Sequence, residues 1–512
     1  MQKNLVLAVV LSSLVYIGWY SFIEKKIQPP PAQANQQAQA PAQPQTAQPA
    51  TSPAARTEPA ALPENWKKGA VTIKAGKAEY YFNPGAASIA SAVYEGPVAP
   101  VELIPDAARG FFSATLPADF RLKTKTSDSV EFSARSGEFQ FTKKFILSPD
   151  NGMNAIQITA ENVSGSARTL GSWELRVGPG LGTVKSEEKD NKDLQQAAYT
   201  FQESGRKHPT FKELKDEPAQ NDWVWTGMNN RYFLAALAGG NFQNTRPLKR
   251  LEKVGENAKT PMLVLPIPAV ELKPGEKRTW EAQFYLGPKD YSRLKKLGMG
   301  LDRSVDFGFF SPLAKLANSS LVYFHKVTGN YGAAIIILSV IIQLLLTPLS
   351  FKSFKAMAVM KKIQPEMQAI QKKYKDDPKR MNAEVMDLYK RHGTNPLGGC
   401  LPMLLQIPVF FALFTALRNS WDLHGAPFIF WIKDLSAKDP FYVMPLVMGG
   451  IMFLQQHLSP QTSDPSQAAM MKYMPIIFTF MFLTFPSGLV LYWLINSTWG
   501  FAQTMYLQKT TV

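Results

Sequence analysis

The chain has 512 residues, 45% hydrophobic and 19% charged, with 56 Lys and Arg against 40 Asp and Glu, for a formal net charge of +16. That length suggests about three domains, and a mean hydropathy of −0.13 is too low for a chain embedded in a membrane throughout, although the last third is too apolar for a soluble enzyme. One cysteine excludes a disulfide framework, an iron–sulfur cluster and a thiolate zinc site, and five scattered histidines leave little for a metal centre.

In chain order, Leu5 to Ile23 is an almost uninterrupted apolar run between Lys3 and Glu24-Lys25-Lys26. Its roughly 19 residues are long enough to cross a ~30 Å hydrocarbon core. Ala32-Gln33-Ala34 has the small-x-small form of a signal cleavage site. The apolar run exceeds the usual ~7 to 15 residues of a signal, however, so an uncleaved anchor over residues 1–27 is the better reading. Residues 28–63 are Pro, Ala and Gln with only Arg56 and Glu58 charged, which describes an extended tether that cannot bury a core.

Residues 64–300 read as a β-sandwich. Apolar and polar residues alternate at Val71-Ile73, Val130-Phe132, Phe139-Phe141-Phe145 and Ile156-Ile158, with turn residues between the runs. No Gly-rich phosphate loop, His-x-x-x-His pair or Gly-x-Ser-x-Gly elbow occurs there, so no catalytic residue is assigned. Trp223, Trp225, Tyr232 and Phe233 are expected to pack in the core rather than line a ligand groove.

Within residues 301–330, positions 311–328 follow a helical period. Leu313, Leu316, Ala317, Ser320, Leu321, Phe324 and Val327 share one face, with Lys315, Asn318, Ser319 and Lys326 opposite, as in a helix lying at a membrane interface. Five apolar stretches follow, at about 331–350, 396–417, 441–458, 470–485 and 488–507, making six spans with the N-terminal anchor. Pro348, Pro402 and Pro408 are expected to interrupt the second and third spans, and the fifth is short, ending at Pro486-Ser487-Gly488.

The distribution of charge decides what +16 means. Residues 351–395 carry 11 basic and 5 acidic side chains, which places this segment in the cytoplasm by the positive-inside rule, with both termini, and the β domain outside. The segment reads as two amphipathic helices, Phe351 to Tyr374 with a break near Pro365, and Pro378 to Arg391. Met360, Ile363, Met367 and Ile370 line one apolar face, and Val385, Leu388 and Tyr389 the other. The candidate docking cations on this hairpin are Lys352, Lys355, Lys361, Lys362, Lys372, Lys373, Arg380, Lys390 and Arg391. They suit anionic lipid headgroups, or a nascent chain, ribosome or targeting factor; a nucleic-acid substrate is not indicated.

No Asp, Glu, Lys, Arg or His lies mid-span, which argues against a proton-coupled transporter. The polar groups there are neutral: Ser339, Gln343, Thr347, Gln406, Gln455, Asn496, Ser497 and Gln503. They serve either as interhelical hydrogen bonds or as the lining of a hydrated groove. Fourteen of the 19 methionines follow residue 350, which fits either ordinary membrane-helix composition or a surface accepting varied apolar partners.

The strings IQPEMQAI at 363–370, NPLGGC at 395–400, PFIFWIKDLSAKDPFYVMPLVMG at 427–449 and FPSGLVLYWLINS at 485–497 resemble the YidC membrane protein insertases. The order of anchor, spacer, β domain and five further spans is similar to the Gram-negative form. The resemblance implies a multi-domain membrane protein in the bacterial inner membrane, with a periplasmic β-supersandwich and a helical insertase core over 331–512. It also implies a non-enzymatic insertase and chaperone without cofactor, which receives nascent inner-membrane proteins in a hydrophilic groove and releases them into lipid, alone or with the Sec translocon. Substrate-contacting positions carry over to Ser339, Ile407, Phe410, Tyr492 and Trp493, which with Gln343 and Gln406 make the candidate groove. The family's groove arginine falls on Gln343, so this chain lacks that charge. The basic C-terminal extension that holds ribosomes in some members is nearly absent. A channel or transporter, or an envelope binding protein whose β domain carries the function, are the competing classes.

Overall fold

The computed structural model describes residues 66–189, 191–254, 257–393, 401–458 and 465–511. The N-terminal anchor, the tether and NPLGGC lie outside the described residues.

The β domain is built on a nine-stranded antiparallel sheet. Its strands run, edge to edge, Thr210–Glu213, Gln196–Phe201, Trp223–Asn229, Phe233–Ala238, Lys277–Pro288, Asn154–Asn162, Phe139–Ile146, Ser129–Ser136 and Arg121–Lys125. Two four-stranded sheets and a two-stranded ribbon complete it. Strand Asn154–Asn162 buries every second residue, and Ile156 and Ile158 pair with Phe145 and Lys143 of the neighbouring strand. The alternation read from the sequence therefore is the core pattern, with one exception. Lys143 occupies an inward position between Phe141 and Phe145, fully buried, and its Nζ donates to the Phe112 carbonyl. Burial without a counter-charge lowers its pKa to about 7.

Phe233–Ala238 is buried at all six positions, which explains its unbroken apolar run. One sheet face packs on the β core, and the other supports a second cluster that includes Trp225, Leu234, Ala236 and Tyr285 and continues into the helical region. Trp223, Trp225, Tyr232 and Phe233 are all buried. The indoles of Trp223 and Trp225 donate to the Thr245 and Gly300 carbonyls, both at 3.0 Å.

Helices follow the sheet: α1 (Tyr291–Leu297), α2 (Ser311–Thr328), α3 (Tyr331–Lys373), α4 (Pro378–Arg391), α5 (Leu401–Arg418), α6 (Val443–Leu458), α7 (Pro465–Phe482) and α8 (Ser487–Thr511). Asp290 caps α1 by accepting the Arg293 amide at 3.0 Å. Gly329, with φ +68°, closes α2 through its amide to the His325 carbonyl.

Two expectations are corrected. Helix α3 continues through Pro348 and Pro365 without the expected interruption or break; Thr347 and Ser350 donate back to the Gln343 and Leu346 carbonyls within that turn. In α2 the inward stripe is Ala314, Ala317, Asn318 and Leu321, while Leu313, Leu316 and Val327 are exposed. Small residues let α2 approach α5 closely, so Asn318 is buried rather than opposite the packed face. Among the described residues, Tyr331–Ser353 is the one helix both long and apolar enough to cross a membrane by itself. Gln406–Arg418, Val443–Leu458 and Lys472–Phe482 are shorter apolar helices.

The hairpin residues 362–393 fall in a different compact unit from the β domain and the other described helices. Ile363, Met367 and Leu388 are the hairpin's buried centre, with Ile370, Val385 and Tyr389 packed around them, while Met360 is outside that cluster. Asp377 caps α4 by accepting the Arg380 amide, with Pro378 at the first position. Tyr389 Oη donates to Met367 Sδ at 3.2 Å.

Candidate functional site

Helical spacing alone puts a polar stripe on α8. Tyr492, Asn496, Trp499 and Gln503 recur at i, i+4, i+7 and i+11, within about 60° of arc at ~100° per residue. On α3 the residues Ser339, Gln343 and Thr347 recur at i, i+4 and i+8. These stripes meet. Gln343 Nε2 donates to Asn496 Oδ1 at 2.7 Å, and Thr347 Oγ1 accepts from Gln503 Nε2 at 2.9 Å and from Trp499 Nε1 at 3.3 Å. The Thr347 hydroxyl spends its own proton on the Gln343 carbonyl at 2.6 Å, so its single donor and both lone pairs are engaged.

Helix α5 joins the seam at Gln406, whose Nε2 donates to Tyr492 Oη at 2.8 Å. One residue on, the chemistry changes. Phe410 meets Trp493 edge-on, ring centroids 5.0 Å apart, and Trp493 also packs on Phe478 and Phe482 of α7 at 5.6 and 5.3 Å. Ile407 is 44% exposed. The arrangement is thus a neutral polar seam on one side of α8 and an aromatic knot on the other, with an apolar residue of α5 standing open beside them.

All seven candidate groove residues fall in this region, but not in equivalent settings. Ser339, Gln343 and Tyr492 are buried. Ser339 Oγ donates only to the Ile335 carbonyl of its own helix at 2.6 Å, so it contributes no cross-helix bond. Gln343 and Gln406 bond across helices, one of the two roles expected of them, and Tyr492, expected only to contact substrate, is the partner of Gln406. Asn496 Nδ2 is buried beside the Tyr492 phenol without a hydrogen bond of good geometry. Trp499, Phe478 and Phe482 were missed by the sequence reading; the α8 stripe at i, i+4, i+7 was the available sign for Trp499.

On the hairpin, Lys362, Lys372, Lys373, Arg380, Lys390 and Arg391 are exposed. Arg391 pairs with Asp387 at 2.9 Å and the Arg380 guanidinium lies 5.4 Å from the Tyr374 ring centre. Lys352, on α3 before the hairpin unit, is also exposed. The side chains of Lys355 and Lys361 lie outside those described. Among the described residues no group of three or more His, Cys, Asp or Glu is placed to hold a metal ion.

Residues 323–512 match the family model described as 60Kd inner membrane protein, and residues 98–317 match that of the YidC periplasmic domain. A membrane protein insertase YidC of Endomicrobium trichonymphae is 44% identical over 405 residues, covering 76% of this chain and 75% of the relative. One from Geotalea daltonii is 41% identical over 398 residues, covering 77% and 73%. The crystal structure of an active YidC insertase with its first transmembrane domain resolved aligns over 85% of this chain and 92% of that one, at 18% identity and a TM-score of 0.40. On the identity and coverage of these relatives, the chain belongs to the YidC family of membrane protein insertases, inner-membrane proteins with a periplasmic domain.

Proposed function

We propose that this insertase receives a hydrophobic nascent segment beside Ile407, Phe410 and Trp493, while the seam of Gln343, Thr347, Gln406, Tyr492, Asn496 and Gln503 serves the polar chain that must accompany it. The observation that carries this reading is the juxtaposition on α8 of an aromatic surface at Trp493 with a neutral hydrogen-bonding stripe one residue away, at Tyr492 and Asn496. An unsolvated polar group in hydrocarbon costs several kcal/mol, and neutral amides such as those of Gln343 and Asn496 lower that cost without the desolvation of a charge. Gln343 supplies polarity where the family resemblance places an arginine, so electrostatic attraction of acidic substrate residues is not part of the mechanism. Ser339, buried and bonded to its own helix, becomes accessible only when α3 and its neighbours separate.

In the same reading the chain has six spans, both termini in the cytoplasm and the β domain in the periplasm. The basic hairpin docks anionic lipid and the arriving nascent chain, with a ribosome or targeting factor as a further partner. Release is lateral, into lipid, and the protein assists folding either alone or beside the Sec translocon. No cofactor is required.

The test is site-specific photocrosslinking during insertion of a small inner-membrane protein. Probes at Ile407 and Trp493 are expected to capture the nascent segment, and capture only at outward positions such as Leu345 or Phe480 would remove the groove from the mechanism. Gln343→Arg is expected to favour substrates with acidic translocated segments. Equal handling of acidic and neutral substrates would show that the position is electrostatically idle.

A further inference from the structure

Helix α5 carries Gln406, Ile407 and Phe410, and its last turn is gripped by the β domain. Arg231, in the turn between two strands of the nine-stranded sheet, donates through both Nε and Nη2 to the Arg418 carbonyl, Nε at 3.0 Å. This caps one of the carbonyls that a helix end leaves unpaired, with a cation at the negative pole of the helix. Glu187 neutralises Arg231 from the other side, and both side chains are largely buried, so the guanidinium is fixed rather than solvated. Independently, the segment entering α2 receives two further bonds. Asn419 Nδ2 donates to the Asp306 carbonyl at 2.7 Å and Thr415 Oγ1 to the Phe307 carbonyl at 3.0 Å. Gly308 adopts φ +66° there, and a Cβ on it would stand 3.0 Å from Thr415 Cγ2.

Just beyond α5, Trp421 is seated among β-domain rings. Its centroid lies 5.1 Å from Phe233, 5.9 Å from Tyr232 and 6.0 Å from Tyr94. The outer end of α5 is therefore held at four places, at residues 415, 418, 419 and 421, the Thr415 hydroxyl sharing its proton between the Phe307 carbonyl and the Phe411 and Ala412 carbonyls of its own helix. The residues of interest lie about three turns away, so a swing of about 10° pivoting at that end displaces Ile407 by ~3 Å, enough to separate Phe410 from Trp493.

We propose that Arg231, Thr415 and Asn419 are positioning residues for insertion: the β domain, through Arg231, and the segment entering α2, through Asp306 and Phe307, fix the outer end of α5, and thereby the placement of Ile407 and Phe410 against α8. The functional arm rests on the substrate path proposed above, whereas the geometric arm does not.

The experiment uses the full chain in lipid nanodiscs, with Cys400→Ser, and spin labels on cysteines placed at Ile407 and at exposed Thr498 of α8. The unaltered clamp is expected to give one narrow distance distribution. Arg231→Gln, and separately the isosteric pair Thr415→Val with Asn419→Asp, are expected to shift or broaden it by ~2 Å or more. Both are also expected to lower photocrosslinking at Phe410 several-fold, with Arg231→Lys restoring part of each effect. An unchanged distribution in the Thr415/Asn419 variant, whatever happens to thermal stability, overturns the proposal. A shifted distribution with unchanged crosslinking upholds the clamp and instead rejects the assigned substrate path.

Discussion

The β domain and the helical region solve the burial of polar groups in opposite ways. In the β domain Glu174 sits between Arg176 and Arg250, at 2.7 and 2.8 Å, and Arg250 first, then Arg176, pull its carboxyl down to about 2. These side chains keep about a quarter of their surface, so water still reaches them and the ion pairs are tolerated. In the seam of α3, α5 and α8 every described partner is an amide, hydroxyl, phenol or indole. The lesson is about solvent: this ion-pair cluster sits where some hydration persists, and neutral groups bond one another where lipid is the surrounding medium.

The comparison breaks most visibly at Glu174. Glu174→Gln leaves two guanidiniums facing each other and is expected to cost about 2 kcal/mol in urea unfolding followed by tryptophan fluorescence. Because the folded pKa lies below the ordinary value of 4.5, the carboxylate's contribution is present above pH 4.5 and is lost as pH falls toward about 2. The gap between wild type and variant should therefore close over that window, and a constant gap would show that packing, not charge, is responsible.

A smaller effect is expected in the seam. Asn496→Leu strands Gln343 Nε2 and should cost ~1–2 kcal/mol in detergent unfolding. Adding Gln343→Leu should recover most of the loss, as neutral pairs allow; failure to recover would mean that the amides do more than satisfy each other.

The smallest effect concerns Asp422, half-buried in the 418–440 loop. Its pKa is raised to about 7, chiefly by burial and then by Asp290. An acid that holds its proton longer when folded loses stability as pH rises from about 4 to about 7, with no further change above. Asp422→Asn should flatten that slope and raise stability at pH 8 by about 1 kcal/mol or less, given its partial exposure, with no difference at pH 4.

Strand placement was legible because half-buried strands must alternate: Phe141, Phe145, Ile156 and Ile158 all point inward as their spacing required. Lys143 was not, since the same rule reads a lysine between two phenylalanines as part of the inward series only if one accepts a buried cation. In helix α2 one residue departs from the sequence reading: Asn318, expected on the polar face, is buried beside Ala314 and Ala317, while Leu313, Leu316 and Val327 stay exposed. At Pro348 local propensity predicted an interruption that helix α3 overrides. The site was half legible. Gln343, Gln406, Asn496 and Gln503 were visible as neutral polar residues in apolar runs, whereas their pairing, and the part of Trp499, depend on which helices adjoin.

The fully committed hydroxyl of Thr347 has a mechanical consequence. Across α3 and α8, Gln343 bonds Asn496 and the one Thr347 oxygen takes both Trp499 and Gln503, while across α5 and α8 Gln406 bonds Tyr492. Parting α3 from α8 would break a joint in which each of these bonds supports the next; parting α5 from α8 breaks the Gln406 link and slides one ring off another. Of these two neighbours of α8, α5 is joined to it through Tyr492 and a ring contact, and α3 through an interlocked set of polar groups.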